Sequence, residues 1–172
     1  MKSKTIKDFI NYALGDIFVK GFLFISLPLL SHLLDPIQYG NLSLINTAIM
    51  IVYVFISLNL QNAVTNRYML TSENFSDYLL SILCFLVPFQ IVSLLLAPFY
   101  KSYASALLGI SADDFIWVLI ICIMLSYIYI YTCYLQASRQ SKKYVFFNIF
   151  TKMSELIFIF FFSFFLASNK YM

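Results

Sequence analysis

Long apolar runs, interrupted at intervals by short polar stretches, organise this chain from end to end. A helix needs about 20 mostly apolar residues to cross the hydrocarbon core of a bilayer. Five stretches meet that requirement. The first runs from about Phe9 to Leu34 and stops at "LLDPIQYG", where Asp-Pro and Gly predict a turn. The second runs from about Asn41 to Val64 and closes in "NLQNAVTNRY". The third covers Tyr78 to Tyr100, with Pro88 expected to kink it. The fourth covers Phe115 to Ala137 and the fifth Tyr144 to Ala167. Short connections between them predict one all-α transmembrane domain over 1–172, a five-helix bundle.

Composition agrees. Of 172 residues, 62% are hydrophobic and 11% charged, whereas soluble domains carry about 25% charged residues. Too few polar groups exist to coat a surface in water, so the sequence reads as an integral membrane protein. No Gly/Ser/Pro-rich linker divides it. A cleavable leader is not expected either: the apolar run after "MKSKTIKDF" is too long and lacks a small-residue cleavage site.

Charge fixes the orientation. With the N-terminus inside, the cytoplasmic segments hold Lys2, Lys4, Lys7, Arg67, Arg139, Lys142 and Lys143. The opposite side holds Lys101 and Lys170 among Asp35, Asp113 and Asp114. The excess of Lys and Arg on one side predicts a cytoplasmic N-terminus. Trp117, Tyr100 and Tyr103 then fall near the outer interface, where aromatic anchors belong. Five spans with almost no tail beyond the last read as a truncated part of a larger transporter. The alternative is a small protein that acts by assembling with itself or a partner.

Four ionisable residues fall inside spans: Asp16 and Lys20 in the first, Lys152 and Glu155 in the fifth. A charge at the bilayer centre costs about 2.5–3.5 kcal/mol on insertion scales, and such residues usually face a bundle interior or a wet cavity. From the cytoplasmic ends of their spans, Asp16 and Lys20 lie about 10 and 16 Å deep, Lys152 and Glu155 about 12 and 16 Å. Residues three and four apart share a helix face, so Asn148, Lys152 and Glu155 form one polar stripe, and Asn11 or Tyr12 with Asp16 and Lys20 another. The expectation is a shared cavity open to the cytoplasm, with Asp16 near Lys152 and Lys20 near Glu155. The plainer reading is that each pair neutralises itself within its own helix, or that Asp16 and Lys152 snorkel to the inner interface.

Other positions read two ways. Tyr127, Tyr131 and Tyr134 share a face that would suit a sugar, or simply pack. Arg67, after Gln61, Asn62 and Asn66, either forks onto a phosphate or anchors the cytoplasmic side. Cys84, Cys122 and Cys133 lie in apolar runs without ligand spacing, and His32 stands alone, so they predict neither disulfides nor a metal site. No catalytic constellation or phosphate-binding Gly loop is present, so neither enzymatic activity nor a cofactor is expected. The basic cluster at 139–143 belongs to a cytoplasmic loop, not to nucleic-acid binding.

"GDIFVKGFLFISLPLLSHLLDPIQYGNLSLINTAI" followed by "SLNLQNAVTNRYM" resembles the N-terminal region of bacterial polysaccharide flippases, the O-antigen and capsule translocases of the multidrug/oligosaccharidyl-lipid/polysaccharide exporter superfamily. The resemblance rests on Lys20-Gly21, Pro28, the turn from Leu33 to Gly40, and the Arg67-Tyr68 ending of the second span. It implies a fold of twelve or more helices in two bundles, of which these five would form most of the N-terminal one. It also implies alternating access that carries undecaprenyl-diphosphate-linked oligosaccharide across the bacterial cytoplasmic membrane, for O-antigen or capsular polysaccharide. Lys20 and Arg67 would be the cavity cations meeting the diphosphate. Implied partners are that lipid-linked oligosaccharide, membrane lipids, and a missing C-terminal half, another chain or polysaccharide-assembly proteins. Proton or Na⁺ coupling at Asp16 and Glu155 is an expectation from residue type. The competitors are a multidrug exporter of the same superfamily, which favours an acidic cavity, and a scaffold whose four intramembrane charges form buried pairs.

Overall fold

A computed structural model describes scattered positions between Ile10 and Ser31, then residues 34–70 and 75–169, omitting the side chains of 69–70, 155–156 and 158–169. The described residues are all-helical apart from turns, with no strand. Every described position from Ile10 to Ser31 is helical. Five further helices follow: α1 (Pro36–Ser57), α2 (Leu60–Leu70), α3 (Phe75–Leu108), α4 (Ala112–Ala137) and α5 (Ser141–Asn169). Three of them, α1, α3 and α4, are long and apolar enough to cross a membrane. The chain forms two compact units, one of residues 1–39 and 139–172, the other of residues 40–138.

Helix ends differ from the expected spans for local reasons. In "LLDPIQYG" the described non-helical residues are Leu34 and Asp35, and both Pro36 and Gly40 lie inside α1. Proline fits the first helical position because its missing N–H has no partner there anyway. Gln38 completes the start by accepting the Asp35 amide at 3.2 Å, half of a capping box. At the far end of α3, Gly109 takes φ +69°, and the Ile110 amide returns to the Ser105 carbonyl at 3.1 Å, as a glycine helix stop does. Ser111 then caps α4 by accepting the Asp114 amide at 3.0 Å, and Asp113 and Asp114 complement the positive end of its dipole. Lys101 and Asp113 meet across this turn at 3.8 Å.

The largest correction concerns the second expected span, 41–64. It is two helices, α1 and α2, separated by Leu58 and Asn59 in the left-handed region at φ 48° and 53°. The third span, expected to end at Tyr100, extends through both Pro88 and Pro98 to Leu108 as one helix of 34 residues, about 51 Å long. The fourth ends at Ala137, as the sequence predicts.

Within the 40–138 unit the apolar core is in two parts. Ala48, Val52 and Ile56 of α1 pack with Ala97, Phe115, Val118, Leu119 and Cys122. Val64 of α2 packs with Ile82, Leu86 and Ile130. Ser57, Gln90 and Ser126, all buried, fall between the two parts on their respective stretches of chain. Large apolar side chains point outward around them: Phe55, Phe99 and Leu107 are 69%, 81% and 88% exposed.

Candidate functional site

The unit formed by the two chain ends carries the Lys20 and Lys152 stripes. Gly15 is buried, and a Cβ added there would meet Val145 Cγ2 at 3.0 Å. A side chain at this position would require Val145 to give way by a few tenths of an ångström, so glycine favours this close approach to α5. Lys20 stands five residues beyond that contact and is exposed; Lys152 stands seven beyond Val145 and is partly buried, with an interaction of its own. The second offset is about 10.5 Å along α5. Asn148, partly buried, lies one turn before Lys152 on the same face. Asp16 lies outside the described residues. Glu155 is helical, but its side chain also lies outside them. The expected pairings, Asp16 with Lys152 and Lys20 with Glu155, therefore fall outside what is described.

Arg67 belongs to the other unit. It is exposed on α2, and its guanidinium carbon lies 5.6 Å from the Tyr78 ring centre, within cation–π range. The next residue, Tyr68, contacts Phe75 and Tyr134 edge-on at 4.8 and 5.9 Å. Phe75 and Tyr134 are stacked at 5.4 Å. Arg67 is thus presented from an aromatic base, an arrangement open to a phosphate and equally suited to an interfacial anchor.

The tyrosine face of α4 is used for packing. Tyr134 belongs to the aromatic base, and Tyr127 donates to Gln90 Oε1 at 2.8 Å. Tyr131 alone of the three is exposed.

Sequence reasoning did not single out the polar layer between the two apolar cores. Gln90, 2% exposed, donates to Ser126 Oγ at 2.9 Å and to the Ile56 carbonyl at 3.4 Å. Ser126 in turn donates to the Ile123 carbonyl at 2.7 Å. Gln90 so ties the end of α1 to α3 and α4. At the break itself the Asn59 amide donates to Ser57 Oγ at 3.2 Å, and Gln61 Nε2 donates to Asn59 Oδ1 at 2.7 Å. The signals were a lone glutamine in the apolar run "LVPFQIVSLLL" and the alternation of polar residues in "SLNLQN".

No family model, curated protein or solved structure matches the chain. Among the described residues no cluster of His, Cys, Asp and Glu is placed to hold a metal.

Proposed function

We propose that the chain is a multi-pass protein of the bacterial cytoplasmic membrane and contributes to translocating lipid-linked oligosaccharide, as part of a flippase. The observation that carries this reading is the close contact of Gly15 with Val145, which brings together the two helices that hold Lys20 and Lys152. Both helices run outward from the cytoplasm in the topology that the positive charges favour. Counted along their spans, the two lysines then lie within about 4 Å of the same level.

Two cations in one layer suit a diphosphate. A charged, glycosylated headgroup cannot cross hydrocarbon unaided, because its hydration must be replaced. A polar cavity that opens alternately to each side supplies replacement contacts without covalent chemistry. Lys20 and Lys152 attract the diphosphate, and Asn148 offers hydrogen bonds to it or to sugar hydroxyls; Arg67, on the other unit, is a separate phosphate contact. Asp16 and Glu155 carry protons or Na⁺ to couple the cycle. With Asp16 and Glu155 protonated, Lys20 and Lys152 give this layer a positive sign that favours an anionic cargo over the apolar cations that an acidic multidrug cavity would take.

The test uses the full chain in liposomes with undecaprenyl-diphosphate-linked oligosaccharide extracted from host membranes. Sugar exposure is read as capture by an external lectin. Exposure faster than in protein-free liposomes, and reduced at least tenfold in Lys20→Gln, is the expected result. A rate equal to that of protein-free liposomes, together with no binding of the lipid-linked oligosaccharide by the purified chain, overturns the proposal.

A further inference from the structure

Within the 40–138 unit, α1, α3 and α4 wall an open groove of about 320 Å³, the size of a small-ligand site. Ile51 and Phe55 line it from α1, Phe89 and Ala104 from α3, Phe115 and Leu119 from α4. Its wall holds two polar side chains, Ser93 and Tyr100, and these satisfy each other. The Tyr100 hydroxyl donates to the Ser93 carbonyl at 3.0 Å and lies 3.2 Å from Ser93 Oγ. Every other lining residue is apolar. A sugar or an organic cation would lose its hydration there without compensation. A hydrocarbon chain has no hydration to lose.

Hydrocarbon alone selects nothing among lipids, since every lipid tail is as apolar as leucine. The selecting groups stand at one end of the groove. Tyr100 and Phe115 meet edge-on in its wall, with ring centres 5.8 Å apart. Beside them Lys101 and Asp113 face each other at 3.8 Å. Lys101 shares a helix face with the lining residues Ala104 and Leu108. The pair is wider than a hydrogen bond of about 2.7–3.2 Å, so ammonium and carboxylate both keep capacity for a ligand. Asp114 adds a second carboxylate in the same first turn of α4, setting two negative charges against one positive. Tyr103, two residues from Lys101, and Trp117, one turn after Asp113, are exposed, which suits the headgroup level of a bilayer.

We infer that the groove binds one molecule of phosphatidylethanolamine, with an acyl chain between α1, α3 and α4 and the headgroup at Lys101, Asp113 and Asp114. The Lys101 ammonium meets the lipid phosphate. The lipid's own ammonium, with three N–H donors like a lysine's, meets the carboxylates in charge-assisted hydrogen bonds. Phosphatidylglycerol brings the phosphate without a cation, and the two carboxylates repel it. Phosphatidylcholine brings a cation without N–H donors. The inference rests on the reading of the chain as membrane-spanning and is independent of what cargo it carries.

The test uses the full-length protein in mild detergent, incubated with equimolar phosphatidylethanolamine, phosphatidylcholine and phosphatidylglycerol of matched chains. Native mass spectrometry reads the bound lipid. One phosphatidylethanolamine per chain is expected, favoured about tenfold over either competitor. Asp113→Asn with Asp114→Asn keeps a bound lipid but turns the preference to phosphatidylglycerol. Ala104→Trp fills the groove and loses the lipid. A misfolded variant would lose it too, so the unaltered protein supplies a second readout: its thermal midpoint rises saturably with phosphatidylethanolamine and not with phosphatidylglycerol. Equal occupancy by the three lipids, no bound lipid, or an unchanged preference in the double variant overturns the inference. So does a dimer mass that Ala104→Trp abolishes, which would give the groove to a second copy. Resistance of the protein to carbonate extraction from membranes checks the membrane reading separately.

Discussion

Replacing Gln90 by Leu tests the layer that joins the two apolar cores. The substitution keeps an apolar side chain of similar length at a position 2% exposed. It removes the acceptor of the Tyr127 hydroxyl at 2.8 Å and the donors to Ser126 Oγ at 2.9 Å and Ile56 O at 3.4 Å. These three losses are unequal. Leaving one buried polar group unsatisfied costs about 1–3 kcal/mol in water-soluble proteins, while hydrogen bonds between membrane helices average about 0.6 kcal/mol. Ser126 keeps its bond to the Ile123 carbonyl, and the 3.4 Å contact is weak. Tyr127 is the principal casualty. The expected net loss is about 2 kcal/mol, offset in part by the apolar leucine. The assay is reversible unfolding in mixed micelles by increasing SDS fraction. Tyr127→Phe, measured alone and with Gln90→Leu, completes a double-mutant cycle with a coupling of about 1 kcal/mol. Parental stability of Gln90→Leu, or strict additivity with Tyr127→Phe, would refute the clamp.

Gly15→Leu drives a side chain into Val145 and is expected to destabilise by about 1–3 kcal/mol; Val145→Ala should restore part of the loss in the same unfolding assay, and no rescue would remove the contact from the account. Leu58→Gly relieves a left-handed conformation that costs a leucine about 1–2 kcal/mol and should leave stability unchanged or higher, whereas a fall of more than 1 kcal/mol would argue against the break. Ser111→Ala removes the cap on α4 and should cost about 1 kcal/mol, read as a lower midpoint in thermal unfolding. Arg67→Gln should weaken binding of undecaprenyl diphosphate severalfold and lessen its salt dependence; unchanged binding would assign Arg67 to anchoring alone.

Helix content and the positions of the long apolar segments were legible because hydropathy sums over many residues and tolerates local exceptions. The end of α4 at Ala137 coincides with the first polar stretch after it, where the apolar signal stops abruptly. The break at Leu58–Asn59 was not legible by the same means. It depends on a few local bonds, Asn59 N to Ser57 Oγ and Gln61 to Asn59, inside a window that averages as apolar. The extension of α3 through Pro98 to Leu108 was hidden for the opposite reason, since the apolar run stops at Tyr100 before Lys101 and Ser102 while the helix continues. For the candidate site, spacing alone places Asn148 and Lys152 on one face. The contact that brings α5 to the N-terminal segment is a glycine beside a valine, two residues whose meeting no periodicity reveals.

Water access at Lys20 tests the proposed cavity most directly. Cys84, Cys122 and Cys133 are replaced by Ala, and Lys20→Cys is introduced into this background. Membrane vesicles of both orientations are then exposed to a membrane-impermeant maleimide. A cationic cavity open to the cytoplasm gives labelling in inside-out vesicles, slowed by added undecaprenyl-diphosphate-linked oligosaccharide. Absence of labelling from either side, with full labelling after denaturation in SDS, would mean a closed layer and contradict the translocation reading.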